Sequence, residues 1–335
     1  MNRLLTLAVA VALAAGSAAA QTSIKFSNDW KWEGPAAPLL LAKDRGYFEA
    51  EGLDVAMDTG QGSREAIPRV ASGTYQMGSA DINSLIKFRD QNPDLEVAAV
   101  FMIYNNPPFA VVGRKSLGVS EPKDLEGKVL GAPAPDGAYA QWAAFTKANG
   151  IDASKVTIEN VGFPVREPML AQGKVDAITG FSFSSFINLK ANGVPEDDIS
   201  VILMAENGLD LYGNVILVNP AFAAENPEAV KGFVKALVRG FQDTVTDPEA
   251  AVKYVLAAND VAREAVELER LQMAIADNIV TDEVRANGFG AVDMDRLAAS
   301  IGQIADTYEF QNPPPAPEAI FDASFLPPAA ERAVP

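Results

Sequence analysis

The chain of 335 residues contains no cysteine and no histidine. Without cysteine there can be no disulfide framework, no thiolate metal site and no thiol nucleophile. Without histidine there can be no serine-histidine-aspartate hydrolase site, no histidine-ligated zinc and no imidazole base. These two absences exclude many of the arrangements that proteins use for nucleophilic and metal-dependent catalysis.

Positive charge is also scarce, since 27 Lys and Arg residues face 44 Asp and Glu residues, for a formal net charge of −17. A chain this acidic repels a phosphate backbone, so we expect no nucleic-acid partner. Hydrophobic residues make up 48% of the chain and charged residues 21%, which is typical of a globular protein rather than a disordered one. At this length, one large domain or two ordinary domains are expected.

The first twenty residues read MNRLLTLAVAVALAAGSAAA. Arg3 precedes the apolar run 4–15, and small residues ending in Ala-Ala-Ala follow it. This three-part pattern is typical of a secretory signal peptide, which we expect to be cleaved after Ala20. The alternative, an anchor helix, needs about 20 apolar residues to span a bilayer, more than this run supplies. An exported protein without cysteine fits a bacterial periplasm.

From residue 24 to residue 104, short strands alternate with helix-length segments in the order βαβαβαβ. Such alternation predicts a parallel sheet with right-handed crossovers. A strand at 109–114 leaves this unit, a similar pattern restarts near residue 129, and a strand at 214–218 returns. Beyond residue 219 the chain is nearly all helical, with an amphipathic segment over 227–246.

Two α/β units joined by two extended crossings predict a bilobed protein with a hinge. We place the signal peptide at 1–20, the first lobe at 21–112, the second lobe at 113–215, the helical completion of the first lobe at 216–310 and a tail at 311–335. The tail is rich in proline, so we expect it to wrap the surface or to be partly disordered. In open parallel sheets, ligands bind beyond the carboxyl ends of the strands. The residues that follow strands are therefore expected to surround one cleft.

Sixteen residues in these strand-end segments are our candidate ligand contacts. They are Asn28, Asp29, Trp30, Trp32, Gly60, Gln61, Ser63, Arg64, Ser79, Asp81, Tyr104, Asp136, Phe163, Arg166, Phe181 and Tyr212.

The aromatic candidates suggest walls for a flat ligand. Trp30 and Trp32 lie two residues apart in a loop, so they point to the same side if the backbone there is extended. Either ring can stack on a ligand or cap it, because aromatic side chains commonly form pocket walls. The alternative is that a ring packs in the core, and it applies equally to Tyr104, Phe163 and Phe181. We expect at least two aromatic rings to line the cleft.

Two features could hold an anion. The turn Gly60-Gln61-Gly62-Ser63 leads into a helix, whose free backbone N–H groups can bind a carboxylate or a sulfonate. The alternative is an ordinary glycine turn with Ser63 as the cap. Arg64 and Arg166 can each clamp an anion, or can lie in solvent or in an ion pair such as Arg166 with Glu167.

The remaining polar candidates have two interpretations each. Asp81 follows a strand, so its carboxylate either faces the cleft or caps the next helix, and Asp136 has the same ambiguity. Tyr212 lies at the return crossing, where hinge and ligand contacts coincide. We expect no metal site, because the acidic residues occur singly at strand ends rather than with calcium-loop spacing.

An ordered set of motifs carries a resemblance to a known family. The motifs are KFSNDWKW (25–32), AKDRGYFEAEGLDV (42–55), GQGS (60–63), RVASGTYQMGSAD (69–81), DLEGKVLGAP (124–133) and MLAQGKVDAITG (169–180). The chain resembles periplasmic substrate-binding proteins of the nitrate/sulfonate/taurine and thiamine-pyrimidine-precursor type. The resemblance implies an α/β, type II periplasmic binding-protein fold with two lobes, a hinge of two crossings and C-terminal helices. It also implies that the ligand is delivered to the membrane permease of an ABC importer.

The same family contains fungal pyrimidine synthases, in which a histidine is consumed in making the product. This chain has no histidine, so the resemblance implies binding rather than catalysis. The loop after Asp29 and Trp30 reads KWEGP, without the Pro-Asn and histidine pattern of the thiamine-precursor binders. An organosulfonate, an aromatic carboxylate and a pyrimidine-like heterocycle all stay open as ligands.

We therefore expect a periplasmic, monomeric solute-binding protein whose lobes close over a small flat or anionic organic molecule. We do not expect it to be an enzyme or to need a cofactor. Two rival interpretations are an exported enzyme on the same fold and a sensor protein that presents its ligand to a receptor.

Overall fold

The computed structural model describes residues 21–335, and the predicted signal peptide at 1–20 lies outside them. Within the described residues, ten strands form two sheets. The strands are β1 (Thr22–Ser27), β2 (Leu53–Asp58), β3 (Met77–Asp81), β4 (Ala98–Met102), β5 (Phe109–Arg114), β6 (Val129–Gly131), β7 (Thr157–Glu159), β8 (Ala177–Phe181), β9 (Ile199–Leu203) and β10 (Asn214–Val218).

The two sheets share one topology. The first has the strand order β2-β1-β3-β10-β4, and the second has the order β7-β6-β8-β5-β9. In each sheet the first three strands are parallel, and the fourth runs antiparallel to both of its neighbours. The predicted pair of α/β units is confirmed by this arrangement, and the antiparallel strands β5 and β10 are the two crossings between the units.

Each crossing strand pairs within the sheet that receives it. Phe109 of β5 lies opposite Phe181 in the second sheet, and Asn214 of β10 lies opposite Asp81 in the first. The chain thus changes sheet in the segments 103–108 and 204–213, before each crossing strand begins. The lobe borders expected after residues 112 and 215 fall inside β5 and β10. Each expected border thus lies within a crossing strand, whereas the chain changes sheet in the loop before that strand.

Helices cover both sheets. They are α1 (Ala37–Asp44), α2 (Tyr47–Ala50), α3 (Ser63–Ala71), α4 (Ile82–Gln91), α5 (Trp142–Ala148), α6 (Arg166–Ala171), α7 (Ser182–Ala191), α8 (Pro220–Glu225), α9 (Pro227–Thr246), α10 (Pro248–Ala258), α11 (Glu264–Ala274), α12 (Asp282–Asn287), α13 (Met294–Tyr308) and α14 (Pro317–Ile320). A π-helical turn, Ile275–Ile279, continues α11.

The long helix α9 shows how the C-terminal segment completes the first lobe. Its apolar residues recur every three or four positions and form a buried stripe, which is the pattern of an amphipathic helix. Phe233 of this stripe stacks on Phe26 of β1 and on Phe48 of α2, with ring centroids 5.6 and 4.8 Å apart. These rings join the first strand and the C-terminal helical segment in one core.

Helix α13 and the tail lie across the outside of the lobes. Helix α13 packs against α4 of the first lobe and α5 of the second. In the tail, Phe321 is buried and its backbone pairs with Ala99 of β4, while the guanidinium of Arg332 donates to the carbonyl oxygens of Asn287, Phe289 and Pro327. The tail therefore wraps the surface, which was one of the two expectations for it.

None of the helices in residues 21–335 has both the length and the apolar character needed to cross a membrane.

Candidate functional site

A cavity lies between the two sheets, at the strand ends where the sequence predicts a cleft. Ten of the sixteen candidate residues line it: Asn28, Asp29, Trp30, Ser63, Ser79, Tyr104, Asp136, Phe163, Arg166 and Phe181. Its walls also include Glu33, Phe183, Ser184, Asn214 and Phe241, which were not among the sixteen.

Asp29 is a buried carboxylate on the first-lobe wall of the cavity. One oxygen accepts hydrogen bonds from the Asn214 amide (2.7 Å) and the Ser63 hydroxyl (3.2 Å), and the other accepts from the Ser79 hydroxyl (3.1 Å). Within residues 21–335 it forms no ion pair. Burial raises the pKa of Asp29 from 3.8 to about 6, and the hydrogen bonds offset only part of that effect. Asp29 is therefore protonated more readily than an exposed carboxylate, and it lines a space where a ligand can reach it.

Glu33 is a second buried carboxylate, and it is held by groups from both lobes and from α11. It accepts hydrogen bonds from the Trp30 indole (3.1 Å) and the Ser184 hydroxyl (2.9 Å). Lys31 lies 3.0 Å from it and Arg270 lies 3.6 Å from it. Burial alone would raise the pKa of Glu33, but these two cations reverse the effect and lower it. Glu33 therefore stays ionised.

The second lobe contributes a carboxylate and a guanidinium. Asp136 is buried and accepts a hydrogen bond from the Thr179 hydroxyl (2.9 Å). The Arg166 guanidinium donates through Nε (3.0 Å) and one Nη (2.6 Å) to Glu167, and its other nitrogen, Nη1, lies 3.9 Å from Asp136. Burial lowers the pKa of Arg166, but Glu167 and Asp136 raise it by more, so the side chain stays charged.

Nη1 of Arg166 has no hydrogen-bond partner within the described residues. It is therefore the part of this side chain that is available to a ligand.

Aromatic rings form the rest of the cavity wall. The rings of Trp30 and Phe163 meet edge to face across the lobes, with centroids 4.5 Å apart. Tyr104 lies 6.3 Å from Phe181 and 6.1 Å from Phe183. Burial, together with Asp29 and Glu33, raises the pKa of Tyr104, so its hydroxyl is a neutral donor. The cavity thus presents flat apolar walls with polar groups at a few points, which is the usual composition of a small-molecule site.

The two lobes touch each other around this cavity. Besides the Ser184–Glu33 hydrogen bond, the Gln141 amide donates to Asp81 (2.9 Å). At Gly62 a β-carbon would lie only 2.4 Å from the Pro135 carbonyl oxygen, so the backbones of the lobes meet there. The structure is therefore a closed form of the cleft.

Six candidate residues lie away from the cavity: Trp32, Gly60, Gln61, Arg64, Asp81 and Tyr212. Gly60 and Gln61 form the turn before α3, where Gly60 packs against the Asn28 carbonyl oxygen and the Gln61 N–H donates to Glu65. Arg64 points outward and donates to the Ala134 carbonyl oxygen. Gly60, Gln61 and Arg64 therefore do not face the cleft, whereas Gly62 and Ser63 of the same turn line it.

The other three misplaced candidates have structural roles. The Asp81 carboxylate caps α4 by accepting from the backbone N–H groups of Asn83 and Ser84, so its second interpretation is the right one. Trp32 packs against the core formed by α1, α10 and α11. The Tyr212 hydroxyl donates to Glu283 (2.5 Å), which holds the return crossing against the C-terminal helices.

The cavity-lining residues outside the sixteen candidates depend on distant partners. Glu33 follows Trp32 in a loop, and only its contacts with Arg270 and Ser184 mark it as part of the site. Asn214 begins β10, and its position next to β3 places its amide on Asp29. One signal could have found Asn214, since it lies in the return segment that contains Tyr212.

In residues 21–335 no group of three or more Asp and Glu side chains is placed to hold a metal ion.

Comparison with known proteins adds a family and a fold. The family model described as NMT1/THI5 like matches residues 35–251. The riboflavin-binding protein RibY of Chloroflexus aurantiacus is 29% identical over 220 residues, which cover 64% of this chain and 60% of that protein. The formylaminopyrimidine-binding protein of Halalkalibacterium halodurans is 26% identical over 263 residues, covering 76% and 77%. The 4-amino-5-hydroxymethyl-2-methylpyrimidine phosphate synthase of Aspergillus parasiticus is 28% identical over 237 residues, covering 68% of each.

Solved structures with the same architecture include periplasmic binding proteins. The aliphatic sulphonate binding protein SsuA from Escherichia coli has a TM-score of 0.72 at 12% identity and covers 91% of this chain and 99% of that one. The nitrate-binding protein NrtA from Synechocystis PCC 6803 has a TM-score of 0.63 at 12% identity, covering 91% and 87%. These matches confirm the fold and the resemblance that the sequence motifs predict.

Proposed function

The chain belongs to the NMT1/THI5-like family and has the fold of periplasmic binding proteins, and we propose that it is the periplasmic solute-binding component of an ABC-type importer. In this role the lobes close over a small molecule, and the closed form docks on the membrane permease. The observation that carries the proposal is the cavity between the closed lobes, lined by aromatic rings and by buried groups that can accept or donate hydrogen bonds.

The charges in the cavity favour a flat nitrogen heterocycle with N–H donors. Three buried carboxylates, Asp29, Glu33 and Asp136, face it, against the single guanidinium of Arg166. That guanidinium is already paired with Glu167. Lys31 and Arg270 balance Glu33, but a sulfonate or a carboxylate would still meet Asp29 and Asp136 in a space of low dielectric, which is unfavourable.

A pyrimidine-like ring fits these groups better. Its N–H groups can donate to Asp29 and Glu33, and a ring nitrogen or carbonyl can accept from Nη1 of Arg166. Trp30 and Phe163 offer aromatic surface for its faces or edges. Two family relatives are named for the binding of flat nitrogen heterocycles, riboflavin and a formylaminopyrimidine, which supports the same ligand class.

The first test is native mass spectrometry of the protein purified from its own host, followed by denaturation to release and weigh any bound molecule. We expect one unmodified nitrogen heterocycle per chain. If the protein is empty, a thermal-shift screen with an aminopyrimidine, riboflavin, an alkanesulfonate and benzoate follows, since a ligand that binds only the folded state raises the melting temperature. A selective response to the sulfonate, or a benzoate response that Asp29→Asn alters, would contradict the ligand class.

Two further measurements separate the role from the ligand. Asp29→Asn should abolish the shift caused by the aminopyrimidine, while Asp54→Asn, at an exposed position on β2, should leave it intact. Deletion of the gene should abolish uptake of the identified ligand by the host. Normal uptake in the deletion strain would refute the importer role, and the sensor interpretation would then apply.

The relatives named as pyrimidine phosphate synthases favour one second candidate, an exported enzyme on this fold. The absence of histidine from this chain argues against the reaction of the synthases, in which a histidine is consumed. A covalently modified chain or a turned-over product in the mass spectrum would support the enzyme instead of the binding protein.

A further inference from the structure

A second groove opens between the lobes, outside the ligand cleft. One wall is formed by α3 and α4 of the first lobe, with Arg64 and Lys87, and the other by the segment 134–143 of the second lobe, with Tyr139 and Trp142. Tyr308, at the end of α13, completes it. Its volume is about 470 Å³, within the usual range for small-molecule sites. We call it the interlobe groove.

The interlobe groove concentrates positive charge on a chain whose formal net charge is −17. Arg64 and Lys87 line it, and neither forms an ion pair within residues 21–335. The Lys87 ammonium lies 3.6 Å from the centre of the Tyr308 ring, and Arg64 donates to the Ala134 carbonyl oxygen (3.0 Å). Burial and the nearby Arg64 both lower the pKa of Lys87, which means that the two cations lie close enough to repel each other.

Among the residues that the structure describes, no carboxylate lines the interlobe groove to balance these cations. Asp81 lies near enough to raise the pKa of Tyr308, but its oxygens already accept hydrogen bonds from Asn83, Ser84 and Gln141. The cations therefore retain the capacity to bind an anion, and the rings of Tyr139 and Trp142 add apolar surface beside them.

We propose that the interlobe groove is a second ligand site, which binds a small organic anion carrying a flat ring, such as an aromatic carboxylate. Arg64 and Lys87 bind the anionic group through charge-assisted hydrogen bonds, and the aromatic side chains contact the ring. The charge pattern is the reverse of that in the cleft, where carboxylates outnumber the guanidinium. The interlobe groove shares no lining residue with the cleft, so the proposal stands whether or not the proposed function is right.

The chain has three tryptophans, and Trp142 lines the interlobe groove. The test therefore uses Trp142 as a local reporter. In a Trp30→Phe/Trp32→Phe background Trp142 is the only one left, and benzoate is titrated while its fluorescence is followed. We expect saturable quenching. Benzamide, which has the same shape without the charge, should bind about tenfold more weakly or worse, since a hydrogen bond to a charged group contributes about 1.5–3 kcal/mol.

Two variant pairs in this background separate the site from overall charge. Arg64→Gln/Lys87→Gln should weaken benzoate binding about tenfold or more. Lys43→Ala/Lys253→Ala removes the same charge from exposed positions on α1 and α10 and should leave the affinity unchanged. Should the glutamine pair lose its fold by circular dichroism, each single glutamine variant takes its place.

Three results would overturn the proposal: no saturable quenching in the folded parent, equal affinity for benzamide and benzoate, or equal losses in the two variant pairs. The thermal-shift screen of cleft ligands is a separate measurement, so a negative result for the interlobe groove does not contradict the proposed function.

Discussion

Asp29 offers a direct test of the electrostatics of the cleft, because its carboxylate is buried without an ion-pair partner in the described residues. Burial raises its pKa from 3.8 to about 6, so the folded protein binds the proton more tightly than the unfolded chain does. The stabilisation from this tighter binding is complete below pH 3.8 and is lost as the pH rises through about 6. Each pKa unit corresponds to about 1.4 kcal/mol, which gives a full loss of about 3 kcal/mol.

The Asp29→Asn variant lacks this titration, so its stability relative to the parent should rise with pH. Between pH 4.5 and pH 7.5 the difference in unfolding free energy should change by about 2 kcal/mol in favour of the variant, the part of the full effect that falls in this window. Urea unfolding of ligand-free protein, followed by circular dichroism at several pH values, measures the difference directly. The other titrating groups of the parent are present in the variant as well, so the comparison isolates Asp29.

The matched control is Asp54→Asn, which removes an exposed carboxylate from the neighbouring strand β2. If both variants give the same pH dependence, burial is not the cause. A pH-independent difference between Asp29→Asn and the parent would refute the reasoning outright, because it would mean that Asp29 keeps its ordinary pKa in the fold.

Two more predictions concern closure and the core of the site. Gly62→Ala would place a β-carbon 2.4 Å from the Pro135 carbonyl oxygen, so ligand affinity in calorimetry should fall about tenfold or more. The control is Gly52→Ala, at a glycine that also has a positive φ (+74° against +103°) but has no atom within 4 Å of the added β-carbon. This control should leave the affinity unchanged. Equal losses in both would assign the effect to backbone strain. Arg270→Met leaves the buried Glu267 without its ion-pair partner and Glu33 with Lys31 alone, so urea unfolding should show a loss of about 3–5 kcal/mol. The exposed Arg263→Met should cost less than about 0.5 kcal/mol. A loss below 1 kcal/mol for Arg270→Met would contradict the role of the network.

The predicted position of the cleft rested on one rule, that ligands bind beyond the carboxyl ends of parallel strands. The rule works for Asp29 and Asp136, which follow the parallel strands β1 and β6, and for Ser79, which lies within β3 two residues before its end. It fails for Tyr212, whose segment precedes an antiparallel strand and joins the C-terminal helices instead.

The sequence did not reveal which way each side chain points within a loop. Trp30 and Trp32 were expected on one side if the backbone is extended. In the structure Trp30 meets Phe163 across the cleft, while Trp32 packs on the other side and its carbonyl oxygen accepts from Asn259. Two of the helices against which Trp32 packs, α10 and α11, lie far along the chain, which no local pattern reveals.

The network around Glu33 explains why the C-terminal helices matter for the cleft. Arg270 of α11 pairs with Glu267 (2.5 Å), donates to Asn188 of α7 (2.8 Å) and lies 3.6 Å from Glu33. Because Asn188 belongs to the second lobe, this one buried guanidinium contacts both sides of the cleft. Opening the lobes would break the hydrogen bonds that Arg270 donates to Asn188 and Ser184 donates to Glu33, each of which contributes about 1 kcal/mol to the closed form. The closed form is therefore stabilised by polar contacts outside the ligand itself, so the ligand needs to supply only the remaining part of the free energy of closure.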